Sequence, residues 1–164
     1  TMGCRTANGF DINGFGQLKD GRGNICPSTI ILPTLAMEAG RDAEKFMQLL
    51  EEKLEETKDG LIYRFEWICS QNPASAKFMY ENGVMAGYDG KDIRSALKHG
   101  TLAIGMLGMA ETLQLLIGCD QTTDEGMGLA KRICKLYKDK CSEYKEKYKL
   151  NFGVYYTPKQ SWEA

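Results

Sequence analysis

Thr101-Leu-Ala-Ile-Gly-Met-Leu107, then Gly108, then Met109-Ala-Glu-Thr-Leu-Gln-Leu-Leu-Ile117 is the stretch on which the fold turns. A short uncharged apolar run bounded by a glycine has the length of one buried strand. Gly108 reads as the turn, and Met109 to Ile117 as the helix behind it. Glu111 is the only charge between Thr101 and Cys119, and Thr112 and Gln114 interrupt the apolar surface. The stretch therefore reads as a buried globular segment and not as a membrane span.

Working outward, Ser28-Thr-Ile-Ile-Leu32, stopped by Pro33, is a second strand, and Asn151-Phe-Gly-Val-Tyr-Tyr156 a third, with Thr157-Pro158 the turn after it. Between the first two lies a long helix. Phe46, Leu49, Leu50, Leu54, Leu61, Ile62, Phe65 and Cys69 recur at three- and four-residue steps, with Glu51, Glu52, Glu55 and Glu56 outside the stripe. Pro73 ends it. A helical turn follows over 74–80; loops are marked by Asn82-Gly83, Gly87 and Asp89-Gly90, and a short helix is expected over 92–98. Thr122 with Glu125 reads as a capping box. It opens a second long helix with the stripe Met127, Ala130, Ile133, Cys134, Tyr137, Cys141, Tyr144 and Tyr148. Strand, helices, strand, helices, strand is the pattern of crossovers in a parallel sheet. The expected class is α/β, a helix-rich chain with a few parallel strands. In such sheets chemistry sits in loops at the carboxyl ends of strands.

The chain has 164 residues, enough for one domain or part of one. Lys and Arg number 21 against 22 for Asp and Glu, and the Lys-rich run 135–149 is interleaved with acids. That balance argues for a solvated helix face and against nucleic acid as a partner. No secretion signal or lipidation motif is seen. The six cysteines, Cys4, Cys26, Cys69, Cys119, Cys134 and Cys141, form no C-x-x-C pair, so no metal site is expected in this segment. Cys134 and Cys141 stand about 10 Å apart along one helix, too far to bridge. Unpaired thiols fit a reducing, cytoplasmic setting and no membrane. The opening Thr1-Met-Gly-Cys-Arg reads as cut from something longer. Residues 1–25 are rich in Gly and Asn, the composition of a loop. A loop of that length is functional or disordered.

Four blocks carry a resemblance. Met2-Gly-Cys-Arg-Thr6, Gly21-Arg-Gly-Asn-Ile25 leading into Ser28-Thr-Ile-Ile-Leu-Pro33, Lys98-His-Gly-Thr-Leu-Ala-Ile-Gly105 with Gly108-Met-Ala-Glu111, and Asn151-Phe-Gly-Val-Tyr-Tyr-Thr-Pro158 resemble, in order, segments of the anaerobic, glycyl-radical class of ribonucleoside-triphosphate reductases. The resemblance implies part of a ten-stranded α/β barrel. Residues 1–25 would be the radical-cysteine finger loop, 26–158 part of the catalytic barrel, and 159–164, where the likeness stops, a divergent or foreign tail. Cys4 matches the cysteine at the loop tip that becomes a thiyl radical and takes the 3′ hydrogen of a ribonucleoside triphosphate. Glycines let the backbone approach the sugar.

Asn24 falls where the family places polar residues beside the sugar, able to donate to and accept from a ribose hydroxyl; its alternative is a turn asparagine. Thr157 and Pro158 match the start of a loop that cradles substrate phosphates. Glu111 touches substrate or the barrel mouth, or is a first-turn acid facing the helix dipole. Cys26 lies near a redox cysteine of aerobic reductases and is read as incidental; Ile31 departs from the polar residue expected there. His99 is read as structural, and Arg5 and Arg22 as surface residues. Met85-Ala-Gly-Tyr88 lacks the Arg that precedes a glycyl-radical Gly-Tyr pair and is rejected.

The intact enzyme implied by the resemblance binds ATP, uses a glycyl radical, takes electrons from formate and holds a structural zinc, none of these carried by this segment. Its partners would be the ribonucleoside triphosphate, a radical-SAM activating enzyme and a second copy in a homodimer, and its product serves DNA precursor synthesis. The fragment alone would be inactive. Two alternatives stand beside this reading: a fragment of another glycyl-radical enzyme, and a non-catalytic helical module docking through its long amphipathic helices.

Overall fold

A computed structural model of the chain describes residues 8–156. Cys4, Thr157, Pro158 and the tail at 159–164 therefore lie outside the described residues. The apolar run at the centre of the sequence forms strand β2, Thr101–Leu107, the middle of a three-stranded sheet. Strand β1, Ser28–Ile31, and strand β3, Asn151–Tyr156, flank it, and both pair with it in parallel. The register sets Thr29, Gly105 and Tyr155 side by side, with Thr101 opposite Asn151.

Because side chains alternate along a strand, this register sorts the sheet into two unlike faces. One presents Ile30, Leu102, Ile104, Met106 and Phe152, all part of one buried apolar cluster with the helices. The other presents Thr29, Thr101, Ala103, Gly105, Asn151, Gly153 and Tyr155, mostly small or polar, with the apolar Ile31 and Leu107 at its carboxyl end. Helices cover the first face only. Helix α1, Leu32–Glu38, and helix α2, Ala43–Cys69, follow β1. A 3-10 turn at Pro73–Ala76 leads to α3, Lys77–Glu81, and α4, Arg94–Leu97 precedes β2. Helix α5, Met109–Ile117, and helix α6, Asp124–Tyr148, lie between β2 and β3. The stripe residues Phe46, Leu50, Leu54, Leu61 and Phe65 of α2 pack into the same core as Ile133, Tyr137, Cys141 and Tyr144 of α6.

Four local expectations are corrected. Pro33 does not stop a strand ending at Leu32: β1 ends at Ile31, and the proline sits in the first turn of α1, where a missing N–H costs nothing. The cap of α6 is Thr123, whose hydroxyl accepts from the Gly126 N–H at 3.1 Å. Thr122 is taken by Asp120, whose carboxylate accepts from its backbone N–H at 2.9 Å and from its hydroxyl. Met127, assigned to the buried stripe of α6, is exposed, and the short helix expected over 92–98 is only Arg94–Leu97. Lys58, by contrast, is buried on the apolar side of α2. Its ammonium meets Asp59 at 2.8 Å, Glu55 at 3.1 Å and the Tyr148 hydroxyl at 3.1 Å, and lies over the rings of Tyr144 and Tyr148. A lysine at a core position of the helical period is tolerated because its charge is neutralised in place.

Candidate functional site: a loop clamped to the open face of the sheet

Residues 8–25 form no regular helix or strand, yet they are held in place by side-chain hydrogen bonds at the amino ends of β2 and β3. Asp11 is the centre. Its backbone N–H donates to Gly16 O at 2.8 Å, closing a short turn. Its Oδ1 accepts from the Asn13 N–H at 2.8 Å and from Asn151 Nδ2 at 2.8 Å. Its Oδ2 accepts from the Phe15 N–H at 3.1 Å and faces His99 Nδ1 at 2.7 Å. An ionised carboxylate only accepts, so Nδ1 carries the proton and donates. The carboxylate is 1 % exposed. Burial by itself would raise its pKa; the hydrogen bonds from Asn151, Asn13, His99 and Phe15 outweigh that and hold it at about 2.

His99 is fixed on its other sides as well. Phe15 stacks on the imidazole, with centroids 3.9 Å apart and planes 18° from parallel. Gly87, at a φ of 82°, lies against the ring edge: a Cβ there would stand 2.8 Å from Cδ2 and 2.9 Å from Nε2. Glycine suits both the positive φ and the close approach. Arg22, expected at the surface, is buried. Its Nε donates to His99 O at 2.6 Å and its Nη1 to Gly9 O at 2.8 Å and Leu18 O at 2.7 Å. The reason is that loop carbonyls turned away from water need donors, and a guanidinium supplies several in one plane.

The loop touches the small-residue face from both sides of this clamp. The Ile12 N–H donates to Asn151 Oδ1 at 3.0 Å, and Thr101 Oγ1 donates to Asn8 Oδ1 at 3.0 Å. Asn13 Nδ2 donates to Lys98 O at 2.8 Å and Lys149 O at 3.0 Å, the residues just ahead of the two strands. Further along, the Ile25 N–H donates to Thr101 O at 2.8 Å and the Thr101 N–H to Gly23 O at 2.9 Å, so Asn24 pairs beside the first residue of β2.

Glu111 is elsewhere. It stands exposed in the first turn of α5, beyond the carboxyl end of β2. It lines a cavity of about 460 Å³ with Ile31, Pro33, Leu107, Gly108, Met109 and Ala110. Asn24 and Glu111 thus mark opposite ends of β2, about 20 Å apart at the usual strand rise. The structure does not bring them together. Cys26 is buried, and that burial pushes its thiol pKa up despite Arg64 nearby, the opposite of an activated thiol. Among the described residues no group of three His, Cys, Asp or Glu side chains is arranged to hold a metal ion, and no helix is long and apolar enough to cross a membrane. Sequence reasoning missed Asp11 and Asn151. The available signals were an Asp two residues before an Asn in a glycine-rich loop, and a polar residue opening a strand.

Helices on one face of a parallel sheet, and a loop clamped by polar side chains at the amino ends of two strands on the other, define a segment of an α/β domain. Comparison with known proteins gives the family. The chain belongs to the anaerobic ribonucleoside-triphosphate reductases, whose family model matches residues 1–162. It is 29% identical over 168 residues to the anaerobic ribonucleoside-triphosphate reductase of Escherichia coli strain K12, and equally to that of Salmonella typhimurium strain LT2. Each alignment covers 98% of this chain and 24% of the relative, so the chain spans about a quarter of the length of these curated relatives. The fold is similar to part of that of the anaerobic ribonucleotide reductase from Thermotoga maritima. One structure of that enzyme, with glycerol in its active site, superposes with a TM-score of 0.70 at 21% identity, over 90% of this chain and 23% of that one. A second, in complex with dATP and CTP, gives 0.67 at 22%, over 90% and 24%.

Proposed function

We propose that this chain supplies the radical-cysteine loop and three strands of the ten-stranded barrel of an anaerobic ribonucleotide reductase, which converts ribonucleoside triphosphates to 2′-deoxyribonucleoside triphosphates. The observation that carries the reading is the match of the family model over residues 1–162, which takes in Cys4 within Met2-Gly-Cys-Arg-Thr6. The two-faced sheet supports it. A barrel strand buries large side chains outward against helices and must leave room inside for a loop and a sugar; Ala103 and Gly153 leave that room, while the ring of Tyr155 lies over Gly105 and reaches Thr29.

In this reading residues 1–25 form the finger loop, and Cys4 acts as a hydrogen-atom shuttle. Its thiyl radical takes the 3′ hydrogen, forming S–H and leaving the radical on the ribose; the 2′ hydroxyl leaves as water, and the thiol returns a hydrogen atom to C3′ at the end of the cycle, regenerating the thiyl radical. Formate supplies the electrons and is itself oxidised. The glycyl radical that generates the thiyl radical, the zinc site, the radical-SAM activating enzyme and the second subunit belong to other parts of the assembly. Asn24 holds a ribose hydroxyl, while Glu111, Thr157 and Pro158 serve the carboxyl-end mouth where substrate enters. The test replaces the corresponding segment of a full-length family member with this chain. Cys4→Ser in that graft abolishes nucleotide reduction while the glycyl radical still forms; retained turnover overturns the reading.

A further inference from the structure

We infer that Asp11 and His99 are positioning residues for this reaction, a register lock that fixes how far the reactive loop reaches along the open face of the sheet. The inference rests on the reading of Cys4 given above.

The two residues join segments 88 positions apart in the sequence at 2.7 Å, and both side chains are almost wholly buried. The bond is one of four that converge on a single carboxylate, two from the loop itself and two from the amino ends of β2 and β3. Each is charge-assisted, hence stronger than an ordinary amide contact. Asn151 ties the same point twice, donating to Asp11 Oδ1 at 2.8 Å and accepting from the Ile12 N–H at 3.0 Å. A slip of the loop by one residue would break the whole set at once, so the lock has one register.

That register sets a distance. Cys4 lies seven positions before Asp11, a reach of at most about 25 Å if fully extended. Strand β2, from Thr101 beside the clamp to Leu107 at its carboxyl end, is about 20 Å long. A thiol within that reach of the anchor can serve any point on this face, and the clamp fixes the origin from which the reach is measured. One residue of slip moves it by about 3.3 Å, whereas hydrogen transfer between sulfur and carbon tolerates far less; a misplacement of about 1 Å can cost roughly 100-fold in rate.

Two substitutions of one residue separate a lock from a merely buried pair. His99→Asn places an amide N–H near the position of Nδ1 and keeps the bond to Asp11. His99→Gln carries its amide toward the position of Nε2 and loses it. In the full-length graft, His99→Gln is expected to lower kcat by about 100-fold with KM for the nucleoside triphosphate unchanged, and His99→Asn to retain kcat within several-fold. Equal activity of the two variants, or a change confined to KM, overturns the lock. Cys4→Ser in parallel keeps the two ideas apart: if it is active the thiyl reading fails, and if it is dead while His99→Gln turns over normally only the lock fails. Should the histidine variants not fold, hydrogen exchange on the unsubstituted chain decides. The Asn13 and Phe15 amides are expected to be protected like sheet amides, and exchange at the rate of open loop amides overturns the proposal.

Discussion

Replacing Gly105 with alanine probes the open face at its narrowest point. The ring of Tyr155 lies across β2 there and reaches Thr29 on the far strand, with the two hydroxyl oxygens 2.5 Å apart. A Cβ on Gly105 would stand 2.6 Å from Cε2 and 2.9 Å from Cε1 of that ring, and closer still to Cζ. The ring cannot yield locally, because its body is buried and its hydroxyl is held. Overpacking of this kind costs about 1–3 kcal/mol, and losing the hydroxyl bond adds about 0.5–1.5 kcal/mol. Together they come to about 3 kcal/mol. With a urea dependence of about 2 kcal/mol/M, the unfolding midpoint of the chain should fall by about 1.5 M. Gly128→Ala on the exposed side of α6, where a Cβ meets nothing within 4 Å, is the control and should gain about 0.5–1 kcal/mol. In a Tyr155→Ala background Gly105→Ala should become harmless, giving a coupling of about 2 kcal/mol or more. A midpoint unchanged by Gly105→Ala alone would refute the register on which the two-faced sheet rests.

Asp11 makes stability depend on acid. Its pKa is lowered from the ordinary 3.8 to about 2, so its contribution is fully present above pH 4 and is lost as pH falls through 2. That contribution, about 2 kcal/mol, should vanish from the pH profile of urea unfolding in Asp11→Asn, and an unchanged acid limb would count against the clamp. Thr123→Ala should destabilise the chain by about 1 kcal/mol by uncapping α6, and Thr122→Ala by clearly less; the reverse order would restore the capping box read from the sequence. Both outer strands, β1 and β3, leave an edge unpaired among the described residues. The chain alone should therefore self-associate as its concentration rises, and light scattering showing one monodisperse monomer would exclude this.

The elements were legible because each carried its own local signal. Thr101–Leu107 has the length and composition of a buried strand, Pro73 and the positive-φ glycines punctuate the loops, and the spacing of Phe46 to Phe65 states a helix. Parallel pairing followed from the alternation of strands and helices. The clamp was not legible. Asp11, Arg22, His99 and Asn151 lie far apart in the chain, and nothing in the local pattern of any one of them announces a partner. Lys58 was hidden for the same reason, since its place in the core depends on tyrosines in another helix. The cap of α6 was misplaced by one residue because Asp120 competes for Thr122, a contest that the spacing of Thr122 and Glu125 does not reveal. The resemblance pointed to Cys4 before any geometry did, and Cys4 lies outside the described residues.

The most direct trial of the central claim is isotopic. A full-length reductase carrying this segment is given a ribonucleoside triphosphate with deuterium at the 3′ carbon of its ribose. Slower turnover than with unlabelled nucleotide, and none when serine replaces the loop cysteine, is the result expected if that sulfur removes the 3′ hydrogen. Equal rates with the two substrates, together with product formed by the serine variant, would contradict it.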